Sequence, residues 1–521
     1  MVREFFELFK TPWEFYRRDG HYEVVLCSGS EIIEDSSAKL VLVYGGRELP
    51  FDAAQGRQAH SNAPGPRMFV AESMRLPVYG QSVSFSPSRS RILIDEETQQ
   101  PVAYMEIRAS RPLVVRIGYD VFRELRFLLT QGQPIENAGI ATLDLHISLL
   151  RSLIVCHGVP LVEIPPAPKG YRFIACLTHD VDHPAIRVHK FDYTILGFLY
   201  RAIPGSLWNV LRGRQSLRAL FGNWWAVLKL PFVFLGLSSD FWNQFEAYKS
   251  LEGDGVRSSF FVIPFKHDRG IGKGQPPPKQ RASAYAAADI VDKVRRLIAD
   301  GHEIGLHGID AWHDQRSGRR ELNEISQVSG AEITGARMHW LYFDRQSPGV
   351  LDNLGFDYDS TVGYNEILGY RAGTSQVFRP LDAQRLLELP LHIMDTALFF
   401  PACSNLSFAE ARRSVGRIID HAVQFGGVIT INWHDRSLAP ERQWRDFYVD
   451  FIHELRVRGA WLANARDSVL WFRKRRAVLL DDLECDSNPC IEAGSNLPGM
   501  ELRLYNAPRP IAVPEDAETH A

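Results

Sequence analysis

Three stretches of this 521-residue chain end a short apolar run on side chains that can carry protons or hold a metal. The run 173–177 leads into Thr178-His179-Asp180-Val181-Asp182-His183. If the extended backbone continues there, its two-residue period sets Asp180 and Asp182 on one face, close enough to share a metal or a proton. The plainer reading of the same pair is turn and N-cap carboxylates. The run 303–306 ends in His307, with Asp310, His313 and Asp314 close behind, and the run 428–432 ends in Trp433-His434-Asp435. Carboxylates and imidazoles gathered on an open site, without thiolates, suit Zn²⁺ or a similar divalent ion, which would bind water and lower its pKa.

Side chains so far apart in sequence need a frame that brings strand ends together. Beyond residue 165 a helix-like segment, a glycine and a short apolar run recur. Ile290, Val294, Leu297 and Ile298 mark one helical face, Gly301 follows as a C-cap, and 303–306 reads as a strand. The same punctuation occurs at Gly255, Gly355, Gly426 and Gly459. Helices alternating with buried strands over about 300 residues predict a single α/β barrel, whose chemistry gathers where its strands end. Before it, β-branched and aromatic runs at 22–26, 39–44, 82–85, 102–107 and 113–117 predict a smaller β-rich domain over 1–165. Pro165, Pro166 and Pro168 make the joint stiff. The barrel is expected over 171–475 and an extension rich in Pro, Asn and acidic residues over 476–521.

Lys and Arg number 59 and Asp and Glu 62, a net charge of −3, which excludes a global polyanion binder; 45% hydrophobic content excludes a disordered scaffold. The six cysteines are scattered and form no disulfide framework. Charges at Arg3, Glu4, Glu7 and Lys10 interrupt any export signal, so the expected location is cytoplasmic. The apolar region 219–242 is broken by Lys229, Pro231 and Asp240 and is too short between breaks to span a bilayer. Around it, at about 186–241, the barrel pattern lapses into an insertion. Arg187, Lys190, Arg201, Arg212, Arg214, Arg218 and Lys229 stand there against Asp192, among Trp208, Trp224 and Trp225. Two readings stay open: a segment lying peripherally on the inner membrane surface, or an insertion packed on the barrel. Nucleic acid is not an expected partner, since no recognised module accompanies the charge.

The order of these motifs resembles the polysaccharide deacetylases, the NodB-homology enzymes of carbohydrate esterase family 4, over residues 171–475. The resemblance runs through Thr178 to Asp182, Ser258 to Val262, Gly301 to His307, Arg337, Gly355 to Ser360 and Thr430 to His434. It implies a distorted (β/α) barrel and a metal-dependent hydrolase that removes N-acetyl groups from a glycan or a glycan precursor, including a lipid-linked one. It further implies Asp180 as general base, Asp182 and His307 as metal ligands, Arg337 as the residue that orients the base, and His434 as general acid. Asp395 could orient His434.

The sequence departs from the family at three places. The family's second metal histidine falls four residues after the first, where this chain has Ala311, leaving His313 or Asp310 as third ligand. His313 reaches the metal only if 308–312 is an irregular loop. The usual Arg-x-Pro-Tyr reads Arg337-Met338-His339-Trp340, and the leucine of the acetyl pocket is Asn432, a polar group that is costly there unless hydrogen-bonded. Two alternatives therefore stand beside deacetylation: hydrolysis of another C–N bond on the same metal site, and a catalytically silent glycan-binding protein. The tracts 364–366 and 369–374 have a composition suited to a sugar face.

Overall fold

A computed structural model describes residues 1–28, 37–62, 65–71, 74–86, 92–106, 112–189, 192–212, 215–272, 281–480 and 499–506. Lys190, Arg214 and, in the 476–521 extension, residues 481–498 (with Cys485 and Cys490) and 507–521 lie outside them.

The second half of the chain carries a run of buried parallel strands: β1 (Phe173–Val181), β2 (Ser259–Val262), β3 (Glu303–Gly308), β4 (Gly335–Met338), β5 (Tyr358–Asp359), β6 (Leu387–Glu388), β7 (Leu391–Met394), β8 (Val428–Asn432) and β9 (Ala460–Ala463). All nine residues of β1 are buried, as expected of a strand covered on both faces. Hydrogen bonding places the strands in the order β6-β5-β4-β3-β2-β1-β8-β7. Every neighbouring pair is parallel. This is the circular order of a (β/α) barrel left open between β6 and β7, so the barrel is distorted. At the other end of β1, β9 pairs with Phe173–Cys176 on the edge that β2 takes over from Thr178.

Amphipathic helices cover the outside. Helix Val291–Ala299 buries Val294 and Leu297, and helix Phe408–Phe425 buries Ala411, Val415, Ile418 and Ile419, against one continuous core. Gly301 follows the first helix with φ 86°, a conformation that glycine adopts without strain, and turns the chain into β3. At Gly335 a side chain would run into the ring of Tyr358, with its first carbon 1.9 Å from Cζ; only glycine lets β4 and β5 close up. Because the strands are parallel, their carboxyl ends lie together, and all the candidate residues sit at or just beyond those ends.

By internal contacts the chain divides into Met1–Phe127, Thr142–Pro165 and Leu479–Ala521 as one unit, and Leu128–Ala141 with Pro166–Val478 as the other. Residues 128–141, assigned above to the N-terminal domain, therefore belong with the barrel. Gln133 N donates to Arg371 O at 2.8 Å, and Tyr364 OH to Gln133 O at 2.7 Å. The first unit contains a four-stranded sheet of Val24–Ser28, Leu40–Tyr44, Leu113–Ile117 and Ala103–Glu106, plus the helix Thr142–Cys156. Arg503–Tyr505, from the extension, pairs with Leu161–Glu163. Among the described residues, no helix is long and apolar enough to cross a membrane.

Candidate metal centre and acid–base site

Asp182 lies just past the end of β1, His307 is the last residue but one of β3, and His339 is the first residue beyond β4. One ligand atom from each lies within 4.8 Å of the other two. His307 Nε2 is 3.3 Å and His339 Nε2 3.7 Å from Asp182 Oδ1. His307 Nδ1 donates to Arg337 O at 2.9 Å, so in the neutral ring the Nε2 lone pair faces the carboxylate. A lone pair pointed at an anion is satisfied by a cation between them, either a metal ion or a proton on Nε2; burial lowers the His307 pKa, but Asp180 and Asp182 raise it above the ordinary value. Asp182 Oδ1 is buried without a hydrogen-bond partner, which also fits a site built for an ion. The donor set, one carboxylate and two imidazoles, suits Zn²⁺ or a similar divalent ion.

His339 is the ligand-type residue that the sequence reading missed. It shares a face with Arg337 by the two-residue strand period. Trp340 (φ 62°) and Leu341 (φ 53°) follow it in the left-handed region, which residues with side chains rarely occupy, and this tight turn ends β4 at the site. The proposed third ligands are elsewhere. His313 is exposed, in a turn in which its N–H donates to Asp310 O at 2.9 Å. Asp310 Oδ1 is engaged by Ile271 N at 2.8 Å and by Arg281 Nη1 at 3.1 Å. The cause is Glu321, a buried carboxylate on helix Gln315–Ser329 that accepts from Ile309 N at 2.9 Å and Asp310 N at 2.8 Å, turning the loop after β3 outward. His313→Ala should therefore leave metal content and turnover within about twofold of wild type, as is usual for a surface substitution. Metal analysis of the purified variant checks this; loss of the ion would restore His313 to the site.

Asp180, in β1, is clamped from two sides. Arg337 Nη1 donates to its Oδ1 at 3.0 Å, and Asn432 Nδ2 to its Oδ2 at 2.7 Å, while Asn432 Oδ1 accepts from Asp180 N at 3.1 Å. Burial pushes the Asp180 carboxyl up, but Arg337, then His307 and His434, hold it below the ordinary value. Arg337, itself fully buried, also donates to Thr178 Oγ1, Ser360 O and Ser360 Oγ at 2.8–3.0 Å, so its fork is fixed. The amide of Asn432 thus meets the carboxylate, which answers the desolvation cost that its polarity raised.

His434, two residues past β8, points Nε2 to within 3.8 Å of Asp182 Oδ2. Its Nδ1 lies 2.6 Å from Asp395 Oδ1; a carboxylate only accepts, so Nδ1 carries the proton. Asp395 Oδ2 also accepts from His434 N at 2.7 Å and from Ser437 Oγ. Burial would lower the His434 pKa, but Asp395, and behind it Asp182 and Asp180, raise it to about 10. These carboxylates favour the protonated ring, the form that a proton donor needs.

Of the tracts suggested as a sugar face, 369–374 is largely structural, with Tyr370, Ala372 and Thr374 buried; in 364–366 Tyr364 is buried, but Asn365 and Glu366 are exposed, and Asn365 Nδ2 donates to Trp340 O at 3.0 Å. The exposed aromatic beside the site is instead Trp340, 41% exposed, with its ring centroid 5.5 Å from that of His339.

No family model and no curated protein sequence matches this chain. Among solved structures it is similar to a Mycobacterium smegmatis protein assigned as a polysaccharide deacetylase, with 19% identity over 61% of this chain and 97% of that one, at a TM-score of 0.35. A Pseudomonas aeruginosa PAO1 protein assigned to the same class shows 15% identity over 62% and 97%, at 0.35. Puue allantoinase shows 14% over 61% and 95%, at 0.36. No activity follows from likenesses at this level.

Proposed function

We propose that this chain is a metal-dependent hydrolase that removes N-acetyl groups from a glycan or glycan precursor. The observation that carries the proposal is the convergence, at one end of the barrel, of three ligand-type groups with a clamped carboxylate and a carboxylate-oriented imidazole. Asp182, His307 and His339 would hold the ion. A divalent ion there supplies a Lewis acid that polarises an acyl carbonyl and lowers the pKa of water.

The chain's own groups divide the remaining work. Asp180, kept ionised by Arg337, takes a proton from the attacking water as its oxygen adds to the acyl carbon. Arg337 and Asn432 hold that carboxylate in one orientation. His434 gives its Nε2 proton to the departing nitrogen as the C–N bond breaks, leaving acetate and a free amine. Asp395 keeps the ring charged and aimed. The exposed face of Trp340 offers a sugar ring an apolar platform.

Two observations support this reading over the alternatives. His339 offers an imidazole where Ala311 has none, which favours an enzyme over a silent binding protein. Asn432 meets Asp180, so its polarity gives no reason of its own to prefer a different C–N bond. The test is acetate release from N-acetylated glycans and lipid-linked precursors before and after chelation. Chelation should abolish it; undiminished release would contradict metal dependence.

Asp395→Asn gives a pH-dependent check. A general acid works below its pKa and fails above it. Removing the carboxylate that raises the His434 pKa should move the alkaline limb of kcat/KM to lower pH by about one unit or more, the usual effect of losing an opposite charge at this distance. An unmoved limb in a folded variant would remove His434 from the acid role.

A further inference from the structure

The insertion after β1 forms three helical pieces, α1 (Tyr193–Tyr200), α2 (Ser206–Leu211) and α3 (Leu217–Phe234), with a π-turn at Arg201–Gly205 joining the first two. One stripe of each helical run packs inward. Ile195, Phe198 and Ala202 meet Ala226 and Val233 of α3, and Trp242 and Ala439 anchor the group. Asp192 caps α1 through Thr194 N and Ile195 N and also binds His189, which lies 3.1 Å from His183, the neighbour of Asp182. The insertion is therefore a built part of the barrel unit.

The opposite stripe is apolar as well, and solvent faces it. On α3, Leu217, Phe221, Trp224, Trp225, Leu228 and Phe232 are exposed. At 100° per residue they fall within an arc of about 100°, whereas the buried Asn223, Ala226 and Val233 lie on the other side. Along α1, the π-turn and α2 the exposed large apolar residues are Tyr193, Leu196, Tyr200, Ile203, Leu207, Trp208 and Leu211, most of them at steps of three and four. Exposure reaches 91% at Tyr193 and 71% at Leu211. Periodicity of this kind on an outward face is not an accident of core packing and needs a cover.

The charge around it identifies the cover. Arg212 lies over the Trp208 ring at 4.5 Å, Lys229 over Trp225 at 5.5 Å, and Arg218 is exposed beside Leu217. Apart from Asp192, committed to the α1 cap, no acidic residue stands between Ile186 and Ser239. A second copy laid on this face by two-fold symmetry would set one basic rim on another. A lipid surface with anionic headgroups accepts both the aromatic and leucine stripe and the basic rim. We infer that α1–α3 lie in the plane of an anionic bilayer interface and hold the chain on it, whatever reaction the barrel performs.

The test is flotation of the full-length protein with vesicles of phosphatidylglycerol and phosphatidylcholine, and with phosphatidylcholine alone. Binding should require phosphatidylglycerol and weaken as salt rises. Replacing Phe221, Trp225 and Leu228 together by serine should reduce it about tenfold or more, with the thermal transition and soluble-substrate hydrolysis unchanged, and Arg218→Glu should reduce it by a smaller factor. The inference is overturned if wild type fails to float with phosphatidylglycerol vesicles at low salt or if the triple variant floats equally well. It is also overturned if the face is covered by a second copy, seen as a wild-type dimer that the triple variant breaks and that ignores vesicles.

Discussion

Asp182→Ala, purified and then equilibrated with Zn²⁺, should bind the ion more than about 100-fold more weakly than wild type, beyond the 10- to 100-fold range typical of losing a residue that only supports a ligand. Asp182 is the one anion among the three ligand-type groups and faces both imidazoles, so its removal leaves two neutral nitrogens and no charge to neutralise the ion. His307→Ala and His339→Ala should behave alike, because each takes away one of three donors. Competition against a chelator measures all three. Wild-type affinity in His339→Ala would exclude the ligand set proposed here, and wild-type affinity in Asp182→Ala would place the ion elsewhere.

The second large effect is on turnover without loss of the ion. Asp180→Asn keeps an acceptor for Arg337 and nearly the same shape, yet cannot take a proton from water. His434→Ala removes the acid while Asp182, His307 and His339 remain. Each should lower kcat by about 10²-fold or more, the ordinary scale for a general base or acid, with KM changed far less. A large rise in KM at unchanged kcat would mean that these residues bind substrate and do not move protons.

The sequence made some of this legible for a definite reason. Asp180, Asp182, His307 and His434 each end a run of buried apolar residues, and parallel strands bring such ends together however far apart they lie in the chain. The α/β barrel followed from the same alternation of helical faces, glycines and short runs; its distortion was implied only by the family resemblance, and the gap between β6 and β7 is seen only in the structure. The third ligand-type residue did not follow, because the spacing after His307 points to the site only if the loop beyond β3 turns back toward it. The deciding group, Glu321, lies 11 residues beyond Asp310, and nothing local to 308–313 reveals that it holds the loop outward. His339 was visible as a departure from a familiar motif, and the strand period that relates it to Arg337 was the available signal. Asn432 shows the same limit: its residue type announced a buried polar group, but its partner, Asp180, lies 252 residues away. For the insertion, the sequence posed packing against the barrel and contact with a membrane as alternatives. Its helices have two apolar stripes, one buried in the barrel unit and one facing out, a distinction that composition does not carry.

The most direct test of the whole account is acetate released from N-acetylated glycans and lipid-linked precursors by zinc-loaded wild type, beside Asp180→Asn shown to hold the same amount of zinc. Wild type should release acetate stoichiometric with the free amine formed, and Asp180→Asn should do so at least about 10²-fold more slowly. Zinc-loaded wild type that releases acetate from none of these substrates, or Asp180→Asn that matches wild type, would contradict it.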